Sequence, residues 1–327
     1  MHRRQLLHAL IPVVLTALGA CAGGGKGASG PLAEPRTSSP SATASPSAEG
    51  ATSTRVGTQP CALVVTRDRV WVSNYGSNTV VSVDPRSLKM VSRTRVHSQP
   101  CGLAFGAGSV WVENYGADDV QRIDPDNGKV LATVPVGLNP FDVKFGFRSV
   151  WVSNNVDGTV DRISPTSNKV VKTINVGSGV SGLEIAFGSV WAANATDNSL
   201  SRIDPRSNKE KMVKLRGSGI AWLGSSPDAL WVSDGGSGEV LRVDPKTDRV
   251  TDRIKVGTQP VDSVYALGRV WVPNLGSGTV SEIDAKTDRV LRTWRTGSGP
   301  FVAAAGHGAV WIVDYKGTDL FRIPLHH

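Results

Sequence analysis

Residues 70–85 read VWVSNYGSNTVVSVDP: one Trp among alternating apolar residues, a small polar cluster, then a second alternating run. Two runs of period two on either side of a Gly/Asn/Ser cluster describe two β-strands joined by a turn. The stretch returns throughout the chain. Trp71, Trp111, Trp151, Trp191, Trp231, Trp271 and Trp311 stand 40 residues apart, so seven of the nine tryptophans share one lattice. Three residues after each comes Asn74, Asn114, Asn154, Asn194, Asp234, Asn274 or Asp314. Asp84, Asp124, Ser164, Asp204, Asp244 and Asp284 follow at the same period, and the seventh copy has Pro324. The lattice carries no insertion, and a fixed period of this length marks a repeat architecture.

Each unit holds four short strands, A to D. In the third unit they are expected at 141–147, 149–155, 159–164 and 169–176, with Gly, Asn, Asp and Pro in the gaps. No stretch has helical periodicity. Four antiparallel strands per 40 residues, seven times over, is the sequence form of an all-β, seven-bladed β-propeller. An open β-solenoid is the competing architecture, but its coils are much shorter. The length of 327 residues allows two domains; the unbroken repeat reduces them to one, residues 51–327. The last unit ends after its strand C, while residues 51–56 align with the other strands D. The N-terminal strand is therefore expected to complete blade seven and to leave no open sheet edge.

The repeated Val-Trp-Val-Ser-Asn-Tyr-Gly-Ser-Asn-Thr-Val-Val-Ser-Val-Asp resembles the YVTN-type propeller repeat. The recurring Gly-x-x-Pro and Gly-x-Val-Trp spacing resembles the streptogramin (virginiamycin B) lyase group. That resemblance covers residues 51–327. It implies the propeller fold, and it leaves function open between enzymes and binding modules. The lyases it suggests open a cyclic lactone by proton abstraction, with a His at the channel mouth, acidic residues and Mg²⁺. Here His97, His307, His326 and His327 are the only histidines of residues 51–327, and none stands at the start of a strand A beside the axis. The carbon–oxygen lyase is therefore the alternative reading, behind a binding or scaffold module.

The chain opens with Arg3-Arg4 and an uncharged apolar segment from Ala9 to Ala20. That segment is too short to span a bilayer and suits a secretory signal over residues 1–20. Arg3-Arg4-Gln5-Leu6-Leu7 resembles a twin-arginine export signal, although Sec signals carry such pairs too. Leu18-Gly19-Ala20-Cys21 resembles a bacterial lipobox, which makes Cys21 the expected lipidation site. Of the 29 residues 22–50, 24 are Ala, Gly, Ser, Thr or Pro. Such a segment buries no core, so residues 21–50 read as a disordered tether with a reach of roughly 30 Å. The expected place is the bacterial cell envelope, outside the cytoplasm and anchored to the membrane. The expected partners are the membrane and a protein, peptide or glycan. Net charge is +8, with scattered basic residues and no basic run, which gives no footprint for nucleic acid. A monomer is expected.

In a propeller, the D-to-A and B-to-C loops share the face around the central channel, and positions that vary among repeats there are the site candidates. One column is Tyr75, Tyr115, Asn155, Ala195, Gly235, Leu275 and Tyr315. Its three tyrosines come from neighbouring blades and suit a binding surface. A second column starts strand A with Ala62, Gly102, Asp142, Gly182, Trp222, Asp262 and Val302. Asp142, Trp222 and Asp262 stand out there, and Glu113 replaces a small residue before the Asn lattice. No cofactor is expected; the acidic residues leave open Mg²⁺ or Ca²⁺, without matched ligand spacing. The Asn/Asp lattice and the Asp-Pro pairs read as turn-fixing residues. Cys61 and Cys101 occupy equivalent Gln-Pro-Cys positions in adjacent units. Equivalent atoms of a seven-fold ring lie about 0.87 radii apart, so a disulfide needs a ring radius of roughly 5–8 Å, plausible for the innermost strand. A Cys61–Cys101 bridge at the channel mouth is expected.

Overall fold

A computed structural model of the protein describes residues 51–325. The expected signal, lipobox and tether lie outside the described residues, as do His326 and His327. Seven four-stranded antiparallel sheets form a ring with no helix among the described residues: a seven-bladed β-propeller. Blade three shows the pattern, with strand A at Pro140–Gly146, B at Ser149–Asn154, C at Thr159–Ser164 and D at Lys169–Asn175. Strand A starts one residue earlier than the sequence pattern suggested, because Pro140 already pairs with Asn154. A β-bulge at residue 141 follows, so that Asp142 faces Ser153. The bulge turns residue 141 aside and explains why alternation misplaced the boundary.

The ring closes as the termini implied. Thr52–Arg55 pairs antiparallel with Asp319–Pro324, the strand C of blade seven. Blade seven then meets blade one, where Trp311 packs with Val70 and Val72 in one apolar cluster. This is the rule around the ring. Trp71 meets Val110 and Val112, Trp111 meets Val150 and Val152, and Trp151 meets Val190 and Ala192. The alternation within Val-Trp-Val thus sends the Trp to one neighbour and the flanking residues to the other. The lattice tryptophans are at most 3% exposed, and removing such a side chain costs about 3–5 kcal/mol.

The Asn lattice has a definite task. Asn154 Nδ2 donates to Thr159 Oγ1 and Asp161 Oδ2, both at 3.0 Å, and Asn194 donates likewise to Ser199 and Ser201. Each Asn therefore fastens the end of strand B to strand C. On the outside, Arg162 stacks over Trp151 and donates to the Pro205 carbonyl of the next blade at 2.8 Å. Arg122 and Arg202 repeat the bridge. Blade six departs from the pattern. Pro273 stands where Ser153 pairs with Asp142, has no N–H to give, and strand A there shrinks to Val264–Ala266.

Candidate functional site

The mouth of the channel is set by one bond repeated in every blade. The backbone N–H just after the Asn/Asp lattice donates to a D-to-A loop carbonyl: Tyr75 to Gln59, Tyr115 to Gln99, Asn155 to Asn139, and so on to Tyr315 and Gly299, all at 2.8–3.0 Å. Both loops of each blade are thereby fixed, and the side chain at this column stands over the channel. What varies from blade to blade is its size.

Blades seven, one and two supply Tyr315, Tyr75 and Tyr115. Tyr75 and Tyr315 are in ring contact, with centroids 6.0 Å apart. The chain of rings continues to Phe301 (5.1 Å), Trp222 (5.2 Å) and Phe141 (5.3 Å). Blade five supplies Gly235 instead, and beside it Gly219 and Gly236 leave bare backbone. Aromatic wall and glycine notch enclose a cavity of about 180 Å³, whose lining contains no Asp, Glu, His, Lys or Arg. Burial, helped by Tyr115 and Glu113, pushes the Tyr75 phenol up to about 12. Burial also raises Tyr315 and Tyr115. The three phenols therefore stay protonated at neutral pH and act as neutral donors.

Cys61 and Cys101 form a disulfide at the edge of this cavity, with Cα atoms 5.0 Å apart. It joins the inner strands of blades one and two. Glu113 lies beneath, fully buried, with Oε1 accepting from the Gly102 N–H at 2.6 Å. Burial holds its carboxyl well above the usual range; the Gly102 N–H opposes this, and Asp142 and Asp119 add to it. Glu113 thus fills the place that Ser73 and Ser153 take in other blades, where a hydroxyl receives the strand A amide. It does not meet His97, whose Nδ1 is 2.5 Å from Asp119 Oδ2.

Trp222 lines the mouth, but Asp142 and Asp262 do not. Asp142 Oδ2 accepts from the Leu183 N–H of blade four at 2.9 Å, and Oδ1 from Val143 at 2.8 Å. Asp262 Oδ2 accepts from the Ala303 N–H of blade seven at 3.1 Å. Both carboxylates pin one inner strand to the next. Lys144 stands 3.2 Å from Asp142 and, with Glu184, Ser225 and Asp262, lines a second cavity of about 370 Å³ nearer the A-to-B face. Burial raises Asp262 to about 7, against the pull of Lys144. Burial also raises Glu184, with Lys144 and Ser225 opposing. Burial works to lower Lys144, but Asp142, Asp262 and Glu184 outweigh it and hold the ammonium charged. Among the described residues no three His, Cys, Asp or Glu converge as metal ligands. Asp142, held by amides and by Lys144, and Asp262, held by the Ala303 amide, turn their oxygens away from any common point where Mg²⁺ or Ca²⁺ could sit.

Phe141 and Phe301 escaped the sequence reading. They stand in the same column as Cys61 and Cys101, one residue before the column of Asp142 and Trp222. The signal was present: a column placed at the mouth for a disulfide places its other members there too. Lys144 escaped because an alternating strand gives a charge no reason to face the channel.

Fold and site together define a seven-bladed β-propeller with an aromatic-lined central mouth. Among solved structures, a streptogramin B lyase shares the fold with a TM-score of 0.76 and 15% identity, over 86% of this chain and all of that one. Hydrazine synthase of Kuenenia stuttgartiensis follows at 0.74 and 16%, over 82% of this chain and 96% of that one. The computationally designed Ika8 protein has 0.65 and 14%, over 82% and 97%. No family model and no curated protein matches the chain by sequence. At such identities the likeness is one of fold.

Proposed function

We propose that this propeller is a binding module whose mouth takes a neutral, ring-bearing or aliphatic group, carried on the outer side of a bacterial membrane by a lipid on Cys21. The observation that carries the reading is the uncharged cavity of about 180 Å³ between an aromatic wall and a glycine notch. Aromatic faces gain from covering a flat apolar group. The bare backbone around Gly236, with no side chain to cover it, leaves room for a peptide or sugar on the other side. A single aromatic side chain of a peptide, or the face of one sugar ring, matches this space.

Lactone opening of the lyase kind needs a proton acceptor poised near neutrality. The mouth lining contains neither a carboxylate nor an imidazole, and Glu113 is fully buried outside it. The arrangement therefore supports recognition over elimination.

Gly235 provides the test. A Cβ there would meet nothing closer than 3.7 Å, and its column carries Tyr in three other blades. Gly235→Tyr should fill the notch without disturbing the blade. Calorimetric titration with N-acetyl-tryptophanamide and with a methyl glycoside, on wild type and variant, gives the readout. Binding by the wild type that the variant loses is expected. Equal heats for both proteins, or turnover of a cyclic depsipeptide lactone, would overturn the reading.

A further inference from the structure

The two faces of the ring differ in what they leave uncovered. Thirteen large apolar side chains are exposed among the described residues, and all but Leu138, Val156 and the mid-strand Met212 lie toward the A-to-B and C-to-D face, opposite the mouth. Their origin is local. In blades one, two, three, five and six, strand D opens with a β-bulge at its C-to-D end, and in blade five the extra residue is the polar Thr251. In the other four blades the extra residue, turned outward by the bulge, is Val91, Leu131, Val171 or Leu291, each 50–56% exposed. Nearer the axis, Phe147 and Leu267 sit at the tips of A-to-B turns with positive φ (51° and 48°). A bulky residue is disfavoured there, and exposure returns nothing to the fold.

The same rim carries basic side chains in register, among aspartates such as Asp84, Asp126 and Asp204 in the same turns. A basic residue stands at the junction of each of the six C-to-D turns with strand D: Lys89, Lys129, Lys169, Lys209, Arg249 and Arg289, all exposed. In four of the six blades the cation is followed by an outward apolar side chain (Lys89 by Val91, Lys129 by Leu131, Lys169 by Val171, Arg289 by Leu291), the combination that suits a headgroup layer, with the cation at the phosphates and the apolar group just beneath.

The chain also enters at this face. Thr52 pairs with Arg322, and the Leu325 N–H donates to Gly308 in an A-to-B turn at 2.8 Å, which places Ala51 on the same side. The 29 residues 22–50 lie between Ala51 and Cys21, the proposed anchor point. A chain of that length reaches roughly 30 Å, so the domain stays at a local concentration near the millimolar range and weak surface affinity suffices.

We propose that the A-to-B/C-to-D face docks on the anionic lipid surface that holds the protein's own anchor, which turns the aromatic mouth away from the membrane. The proposal rests on the lipid-anchor reading of Cys21. An adhering protein partner would need neither the four repeated pairs of cation and outward apolar side chain nor the coincidence of the rim with the point of chain entry.

The test uses the full chain, with mass spectrometry of Cys21 and hydrogen exchange as separate readouts. On vesicles containing phosphatidylglycerol, amide exchange around residues 89–93, 129–133, 169–173 and 289–293 is expected to slow several-fold. Amides at 75–76 and 235–236 should exchange as in detergent, and high salt should reverse the protection. The variant Val91→Ser/Leu131→Ser/Leu291→Ser, folded by its thermal transition, should lose about ten-fold or more of the protection. Unchanged exchange on vesicles, with Cys21 lipidated, overturns the docking face while the anchor stands. If Cys21 carries no lipid, the anchor reading falls. The face is then judged by co-sedimentation of the same chain with those vesicles at high lipid concentration, where failure to bind overturns it.

Discussion

The mouth face and the opposite face are built from the same seven copies of one unit, yet they are fixed differently. At the mouth, the B-to-C and D-to-A loops of each blade share a backbone bond, the Asn lattice ties strand B to strand C, and a disulfide joins two blades. On the other face, A-to-B turns are plain hairpins, and the main links between blades are arginines such as Arg162 reaching a neighbouring carbonyl. The mouth therefore holds its backbone constant and varies its side chains, as a recognition surface requires. The opposite face varies at turn tips and bulges, where no partner within the ring demands a particular residue.

The most severe way to break the comparison is at the closure strand, which belongs to both faces. Deleting residues 51–56 removes the strand paired with residues 319–322 and exposes the edge of blade seven. Calorimetry should show the melting temperature falling by about 10 °C or more, a loss of several kcal/mol. Next is the layer between the faces. Trp151→Ala should cost about 3–5 kcal/mol in denaturant unfolding, because that side chain is fully buried against blade four.

Cys61→Ser/Cys101→Ser tests the mouth's own fastening. It should cost about 2–4 kcal/mol and weaken ligand binding at the mouth, while vesicle docking at the other face stays unchanged. Asp262→Asn tests the channel between the faces through pH. With its carboxyl raised to about 7, the fold keeps a proton that the unfolded chain loses near pH 4. Stability from this group is present at low pH and is lost as pH rises through 7. The variant should match the wild type below about pH 4, pull ahead as pH rises, and exceed it at pH 8 by on the order of 1 kcal/mol or more, read as melting temperature against pH. Smallest of all in stability is Gly235→Tyr, expected within about 0.5 kcal/mol of wild type as a surface change, with its effect confined to binding.

Much of this was legible in the sequence because a repeat makes each position testable seven times. Trp71 and its six partners announced a buried lattice, and the missing strand D at the C-terminus pointed to residues 51–56. The tyrosine column reached the mouth as its place after Asn74 implied. Asp142 and Asp262 misled, because a carboxylate at a variable inner position looks like a ligand until its acceptor bonds are seen. In the fold those bonds go to Leu183 and Ala303 one blade away, a relation forty-one residues distant that no local pattern shows.

Sequence alone determined the number of blades, the strand order within each and the closing strand. These follow from a period of 40 and from alternation, which are local properties of the chain. Only the tertiary structure decided which side chains share a space. Tyr315, Phe301, Trp222 and Phe141 come from three different blades, and a β-bulge swings Phe141 and Phe301 out of the alternation and into the mouth. Ring curvature and bulges set that meeting, and both arise from packing among blades rather than from any one repeat.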